Sequence, residues 1–302
     1  MNPEKLQRMW HEADPSVEAS REETTAFEAF GKRGQRPGDR EKKEPQIESE
    51  QAISLAREAE EAFARNDFNA ALDKLRELQR AASPEGAVES EYHEQLLKEF
   101  ERQVATLSKR EYSEAAKMKP DEFVKLFEPL KEHIREIAQR EKETKEKEGH
   151  IPFIIVIKND VIGGEKAMPL IELEGKKGCT GMSADDIKGF KPYEVKLPEG
   201  KAYLAIDIET GKTTLGKTQD EAIKQIKKDN RSALTVEEAV ALITHHPEIL
   251  KDHYVWASGS RRGVDRVASV WLHEGGPGLS WDSSDGSNSW WGSASCGSRV
   301  GP

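Results

Sequence analysis

The seven residues Ile151-Pro152-Phe153-Ile154-Ile155-Val156-Ile157 decide the fold. They form a short, unbroken apolar run rich in β-branched side chains, as a buried strand requires. Before them the chain is densely charged and reads as helical. After them, short strand-like runs alternate with turns and two capped helices. The expectation is an α+β protein: a mainly helical, charged N-terminal half, then a compact mixed-sheet C-terminal domain over residues 149–302.

Downstream of the apolar run, residues 167–173, 193–197 and 202–208 read as strands, separated by Gly163-Gly164, Gly175 and Pro198-Glu199-Gly200. Thr218 with Glu221 and Thr235 with Glu238 have the spacing of capping boxes, and each precedes an apolar helical stripe. Residues 253–257 and 266–272 read as further strands. Residues 275–302, dominated by Ser, Gly and Trp, read as a long loop. The strand before residue 211 reads as alternating, because Tyr203, Asp207 and Glu209 interrupt its apolar residues.

Upstream, residues 1–48 carry too few apolar side chains to offset ordering entropy and are expected to be a flexible charged segment, with at most a short helix at 22–30. Residues 49–148 form a helical region. Ile53, Leu55, Ala59, Ala62 and Phe63, then Ala71, Leu72, Leu75 and Leu78, recur at three- and four-residue spacing, so two helices joined at Asn66-Asp67 are expected to form a hairpin. The stretch 62–81 resembles the middle of a tetratricopeptide repeat, with Phe68, Ala71 and Leu75 at its packing positions. No second copy follows, and such repeats need stacked neighbours, so a plain hairpin is the preferred reading. Further helices are signalled at 90–109 and 121–147, ending in a charged, solvated run at 140–148. This helical, coiled-coil-like half is the candidate surface for a protein partner.

Composition narrows the function. The chain has 302 residues and a net charge of -10 with both signs interspersed, which offers no field for general nucleic-acid binding. Nothing approaches a membrane span, and Met1-Asn2-Pro3-Glu4 does not open a secretory leader. No membrane association and a cytoplasmic location are therefore expected. Cys179 and Cys296, the only cysteines, make neither a disulfide framework nor a zinc pair, and no metal site is expected.

Three constellations carry candidate chemistry. Gly211-Lys212-Thr213-Thr214-Leu215-Gly216-Lys217-Thr218 fits the phosphate-loop pattern, in which Gly211 and Gly216 free the backbone, Lys217 reaches phosphates and Thr218 holds magnesium. The alternating strand before it and the acidic pair Asp220-Glu221 after it argue for a turn and a capped helix instead. Ser260, Arg261 and Arg266, lying among glycines, could clamp an anion bidentately, or could simply pair with local carboxylates. Trp271, Trp281 and Trp290, with Ser293, Ser295 and Cys296, could line a ligand pocket, or could be core. Cys296, with His273 nearest in sequence, is a candidate thiol nucleophile, although apolar burial would make it inert. His245-His246 point apart on a helix, and Asp282, Asp285 and Asn288 lack the spacing of a calcium loop.

Phe100-x2-Gln103-Val104-x2-Leu107, Pro152 to Val156, Met168-Pro169-Leu170, Pro198-x-Gly200-x-Ala202-Tyr203-Leu204, Leu234-Thr235-x-Glu237-Glu238, Gly259-Ser260-Arg261, Val267 to Trp271 and Trp290-x-Gly292-Ser293-Ala294-Ser295-Cys296 resemble an uncharacterised bacterial family, a domain of unknown function. The resemblance covers about residues 100–301. It implies one evolutionary unit and no assigned activity or cofactor. It departs at Arg262, Asp282 and Asn288, where the family pattern carries Cys or His, so it implies no metal or thiol site there. The reading that follows is a non-catalytic binding or interaction protein with a small-ligand or anion site in the C-terminal Arg, Trp and Ser segments. The alternative is an enzyme, either a nucleotide hydrolase at residues 211–218 or a thiol-dependent activity at Cys296.

Overall fold

The computed structural model describes residues 49–65, 67, 70, 71, 73–75, 77, 84–141, 150–284 and 288–302. Phe68, Leu72, Leu78, Asp285, the segment 1–48 and the charged run 142–149 lie outside the described residues. The architecture is α+β, with helices in the N-terminal part and sheets in the C-terminal part. The chain divides into two compact units, Met1–Glu94 and Gln95–Pro302.

In the first unit, α1 (Ser49–Ala64) buries Ala56, Ala59 and Ala62 along one stripe. Asp67 Oδ1 then accepts the Ala70 N–H at 3.1 Å, a side-chain cap that starts the turn leading to the buried Ala71 and Leu75.

In the second unit, the part of α2 (Pro84–Lys109) from Gln95 onward buries Leu96, Phe100, Gln103 and Leu107 at four- and three-residue steps. Short helical turns at Tyr112–Ala115, Pro120–Lys125 and Glu128–Lys131 lead to α3 (Ile134–Glu141). One four-stranded sheet orders β1 (Ile151–Ile157), β6 (Ala202–Glu209), β13 (Ser295–Val300) and β7 (Ser232–Ala233), all antiparallel. β1 lies at the edge of this sheet, and buried side chains cover its exposed groups. Gln103 accepts the Ile155 N–H at 2.7 Å and donates to the Phe153 carbonyl at 3.0 Å, while His245 Nε2 lies 3.0 Å from the Ile155 carbonyl.

A second, mixed sheet orders β12 (Trp291–Ser293), β8 (Tyr254–Trp256), β10 (Arg266–His273), β11 (Gly276–Ser283) and β4 (Cys179–Thr180). Its outer pairs are parallel and its inner pairs antiparallel. Two ribbons complete the strands: β2 (Glu172–Leu173) with β3 (Lys176–Lys177), and β5 (Lys191–Pro192) with β9 (Ser260–Arg261). Helix α4 (Gln219–Lys228) follows β6, and α5 (Val236–His245) packs against both β1 and β10. All ten residues of α5 are buried, as expected of a helix with sheet on two sides.

Three expectations are corrected here. Residues 167–173 form a helical turn, a 3-10 turn at Met168–Leu170 and only the two-residue β2, because Pro169 fixes φ and removes a strand donor. Residues 193–197 form no strand; the Tyr193 N–H donates to the Gly259 carbonyl at 2.8 Å, and Glu194 pairs with Lys227 at 2.7 Å. Residues 275–302 are not a long loop but carry β11, β12 and β13. Gly and Ser have weak strand propensity, yet these residues enter sheets whose partner strands were already legible, and that tertiary pairing overrides propensity.

Candidate functional site

The phosphate-loop look-alike grows from the end of β6. That strand is buried almost throughout, so the expected alternation is absent. Its polar residues are buried or, at Asp207, half-buried, and each has a partner. The Tyr203 hydroxyl meets Glu237 and Glu238, Asp207 meets Arg231 and His150, and Glu209 turns back under the loop. Gly211 takes φ 109 and lies so close to Gly292 that a side chain at either position would strike the other's backbone. The loop amides that a phosphate would need already hold an anion: Gly211 N–H and Thr213 N–H donate to Glu209 Oε1 at 3.0 and 3.1 Å. The Gly216 N–H donates to the Trp291 carbonyl at 3.1 Å, and Lys217 Nζ donates to Gln225 Oε1. Thr218 and Glu221 close the capping box of α4. β6 is also antiparallel to both neighbours, unlike the strand before a phosphate loop.

Trp271, Trp281 and Trp290 do not converge, and register sends the first two to opposite faces. Paired residues share a face. Trp271 therefore stands with Tyr254, Trp256 and Trp291, whose rings meet edge-on or tilted at centroid distances of 6.5, 5.0 and 4.6 Å. Trp281 pairs with Ala268, on the opposite face, and carries the Arg266 guanidinium 4.1 Å from its ring centroid. Trp290 lies in the turn before β12 and is exposed.

The hydroxyls and the thiol are committed internally. Ser260 Oγ accepts the Val236 N–H at 3.1 Å at the start of α5. Ser293 Oγ bonds Ser258 and Gln219, and Ser295 Oγ accepts from Arg231 at 2.9 Å. Cys296 is fully buried in β13, and burial first, then the nearby Glu238 charge, pushes its thiol up to about 12. A thiol so placed is not a nucleophile near neutrality.

Arg261 differs from all of these. Its side chain is only 8% exposed, yet the closest carboxylate, Asp220, is 3.9 Å away and itself 81% exposed. Nη1 is buried without a hydrogen-bond partner. Burial lowers its pKa. The guanidinium sits 5.3 Å from the ring centroid of Tyr193, and Lys191 stands directly across the ribbon from it. Among the described residues Lys191 has no ion-pair partner. Arg262, the next residue, donates instead to Asp186 at 2.5 Å.

A buried polar centre went unread beyond the capping role of Glu238. The Tyr203 hydroxyl lies 3.0 Å from Glu237 Oε1 and 2.9 Å from Glu238 Oε1. One hydroxyl hydrogen shared between two carboxyls favours a proton on one of them. Glu238 is fully buried and takes two bonds from Arg299, at 2.5 and 2.8 Å, plus the Thr235 N–H at 2.8 Å. Glu237 is the carboxyl better suited to carry a proton: burial raises its pKa from 4.5 to about 7 against the Asn159 N–H that bonds its other oxygen. A cavity of about 20 Å³, room for one water, adjoins Glu237, Tyr112, Thr244 and His245. Burial pushes His245 down to about 3, so it is neutral. Among the described residues no group of three His, Cys, Asp or Glu side chains is placed to hold a metal, and no helix is long and apolar enough to cross a membrane.

A family model described as a family of unknown function matches residues 106–302. No curated protein and no solved structure matches the chain.

Proposed function

The chain belongs to this family, DUF5701, which carries no assigned activity, and from that premise we propose that the protein is a non-catalytic binding protein whose anion site is built on Arg261. The observation that carries the reading is a buried guanidinium whose one ion pair is a long contact, 3.9 Å, with the exposed Asp220, and whose Nη1 is buried without a hydrogen-bond partner. A weakly paired buried charge is costly, and an anion held between Arg261 and Lys191, beneath Tyr193, would supply a closer partner. Two like charges directly opposite on an antiparallel ribbon repel each other, and a shared anion turns that repulsion into attraction. The ligand is a small carboxylate or phosphate that guanidinium geometry can hold by two bonds.

The enzyme alternatives lose support on chemical grounds. At residues 211–218 the donors are occupied by Glu209, the Trp291 carbonyl and Gln225. At Cys296 the thiol is buried and protonated.

Thermal unfolding of the full chain with millimolar inorganic phosphate tests the reading, since a ligand bound only by the folded state raises its melting temperature. Wild type should gain several degrees and Arg261→Gln should gain none. An equal gain in both would remove Arg261 from the site. No gain in either, with acetate tried as well, would end the proposal.

A further inference from the structure

We propose a second, separate ligand site: a shallow aromatic trough on one face of the mixed sheet, centred on Trp271, that takes a ring of a neutral sugar. Register lines up Trp291, Tyr254, Trp271, Gly278 and Cys179 in one row across the five strands, and the row carries no charged residue. Gly278 stands directly opposite Trp271, and a Cβ there would come within 3.3 Å of the indole Nε1 and 3.0 Å of the His273 Cβ. The bare backbone thus leaves the indole room to lean across β11. The Tyr254 and His273 rings flank it, inclined at 75° and 70° with centroids 6.5 and 5.5 Å away. Trp291 packs on Tyr254 at 5.0 Å and on the buried Trp256 at 4.6 Å, which holds the phenol from behind. An indole floor with two steep ring walls is therefore preformed, and binding need not pay to order it. Tyr254 and Trp271 are half-buried and His273 is exposed. Among the described residues, the Tyr254 hydroxyl, the Trp271 indole N–H and the His273 ring nitrogens make no hydrogen bond within the protein, and neither the hydroxyl nor that N–H is sealed from solvent. A sugar ring suits both halves of this surface. Its C–H face, slightly positive beside the ring oxygens, lies on the negative face of the indole, and its hydroxyl rim meets the three free polar tips. A quaternary ammonium would use the rings but leave those tips without partners, and an anion would find no fixed positive charge in the row.

This site does not depend on Arg261. The test is calorimetry on the full chain with cellotriose, maltotriose and chitotriose as probes, and with tetramethylammonium and adenosine as competing chemistries. At least one trisaccharide should bind with a dissociation constant of about 1 mM or tighter, and neither competitor should match it. Trp271→Ala removes the floor and should weaken that binding about tenfold or more. His273→Ala alters an exposed side chain and Tyr254→Phe deletes only a hydroxyl, so both variants should fold, and each should weaken binding several-fold. Trp281→Ala, on the opposite face, and Arg261→Gln should leave it unchanged. Failure of all three trisaccharides at about 10 mM overturns the proposal, as does tighter binding of tetramethylammonium or adenosine. Sugar binding that survives Trp271→Ala overturns it equally. Should Trp271→Ala fail to fold, unchanged binding in both His273→Ala and Tyr254→Phe has the same force.

Discussion

The loop at residues 211–218 and the ribbon of β5 with β9 present similar chemistry, glycine-rich backbone beside cationic side chains, and end in opposite states. In the loop the principal donors that a phosphate would need have internal partners: Glu209 takes the Gly211 and Thr213 amides, Gln225 holds Lys217, and Glu221 completes the cap. In the ribbon, Arg261 and Lys191 stand opposite each other, and the nearest carboxylate to Arg261, the exposed Asp220, stays 3.9 Å away. A matching pattern therefore says less about binding than whether the donors are satisfied. A satisfied anion nest is structural, and an unsatisfied buried cation is where a ligand has work to do.

The contrast can be broken deliberately by making a satisfied charge resemble Arg261. Arg299 and Glu238 are 7% and 0% exposed at the side chain. Burial opposes the Arg299 charge, but Glu238 outweighs it and holds the guanidinium protonated. Arg299→Met strands Glu238 in the interior and should cost about 3–5 kcal/mol, read from chemical denaturation. Adding Glu238→Gln should recover part of that loss. A cost below about 1 kcal/mol would mean that a buried charge here tolerates isolation, and the argument for Arg261 would fall with it.

Glu237 sharpens the same point through pH. Its ordinary value of 4.5 is raised by burial to about 7. The folded state thus favours the protonated form, so the group's stabilising contribution is complete below about 4.5 and is lost as pH rises to about 7. The shift corresponds to roughly 3 kcal/mol at the alkaline end. Glu237→Gln cannot ionise, so it should be more stable than wild type at pH 8 by up to that amount, with the difference shrinking toward pH 5. A difference that stays constant from pH 5 to 8 would show that Glu237 titrates normally and that Tyr203 does not sit between two carboxyls.

How much of this was legible follows from the range of the interactions. β1, β6, α4 and α5 were readable because apolar runs and caps are local, as with Thr218 and Glu221 three residues apart. The strands after residue 275 were not readable, since β13 owes its place to β6 and β12 to β8, far off in the chain. The tryptophans were visible as a cluster in sequence, but their faces depend on register, and register put Trp271 and Trp281 on opposite sides. Arg261 was legible as a candidate by residue type alone. Its isolation was not, because that depends on where Asp220, Tyr193 and Lys191 come to rest. The Glu237–Glu238 pair gave a cap signal only, and the partner that explains it, Arg299, lies about sixty residues later.

The smallest expected effect is at the residue that most resembles a catalytic one. Lys217 donates to Gln225 one turn and more along α4. Hydrogen bonds at a partly exposed site contribute little net stability, because water offers nearly equivalent partners once one side is removed. Lys217→Ala should therefore shift unfolding by less than about 0.5 kcal/mol. It should also leave the response to ATP with magnesium unchanged, because the Gly211 and Thr213 amides already hold Glu209, and a γ-phosphate would have to displace that carboxylate. Glu209→Ala provides the counter-case. It empties the nest at the cost of leaving two N–H groups unpaired, about 1–3 kcal/mol, and is the variant in which phosphate affinity at the loop should first appear. Micromolar nucleotide binding by wild type that disappears in Lys217→Ala would reverse the comparison, making the loop the site and Glu209 a gate over it.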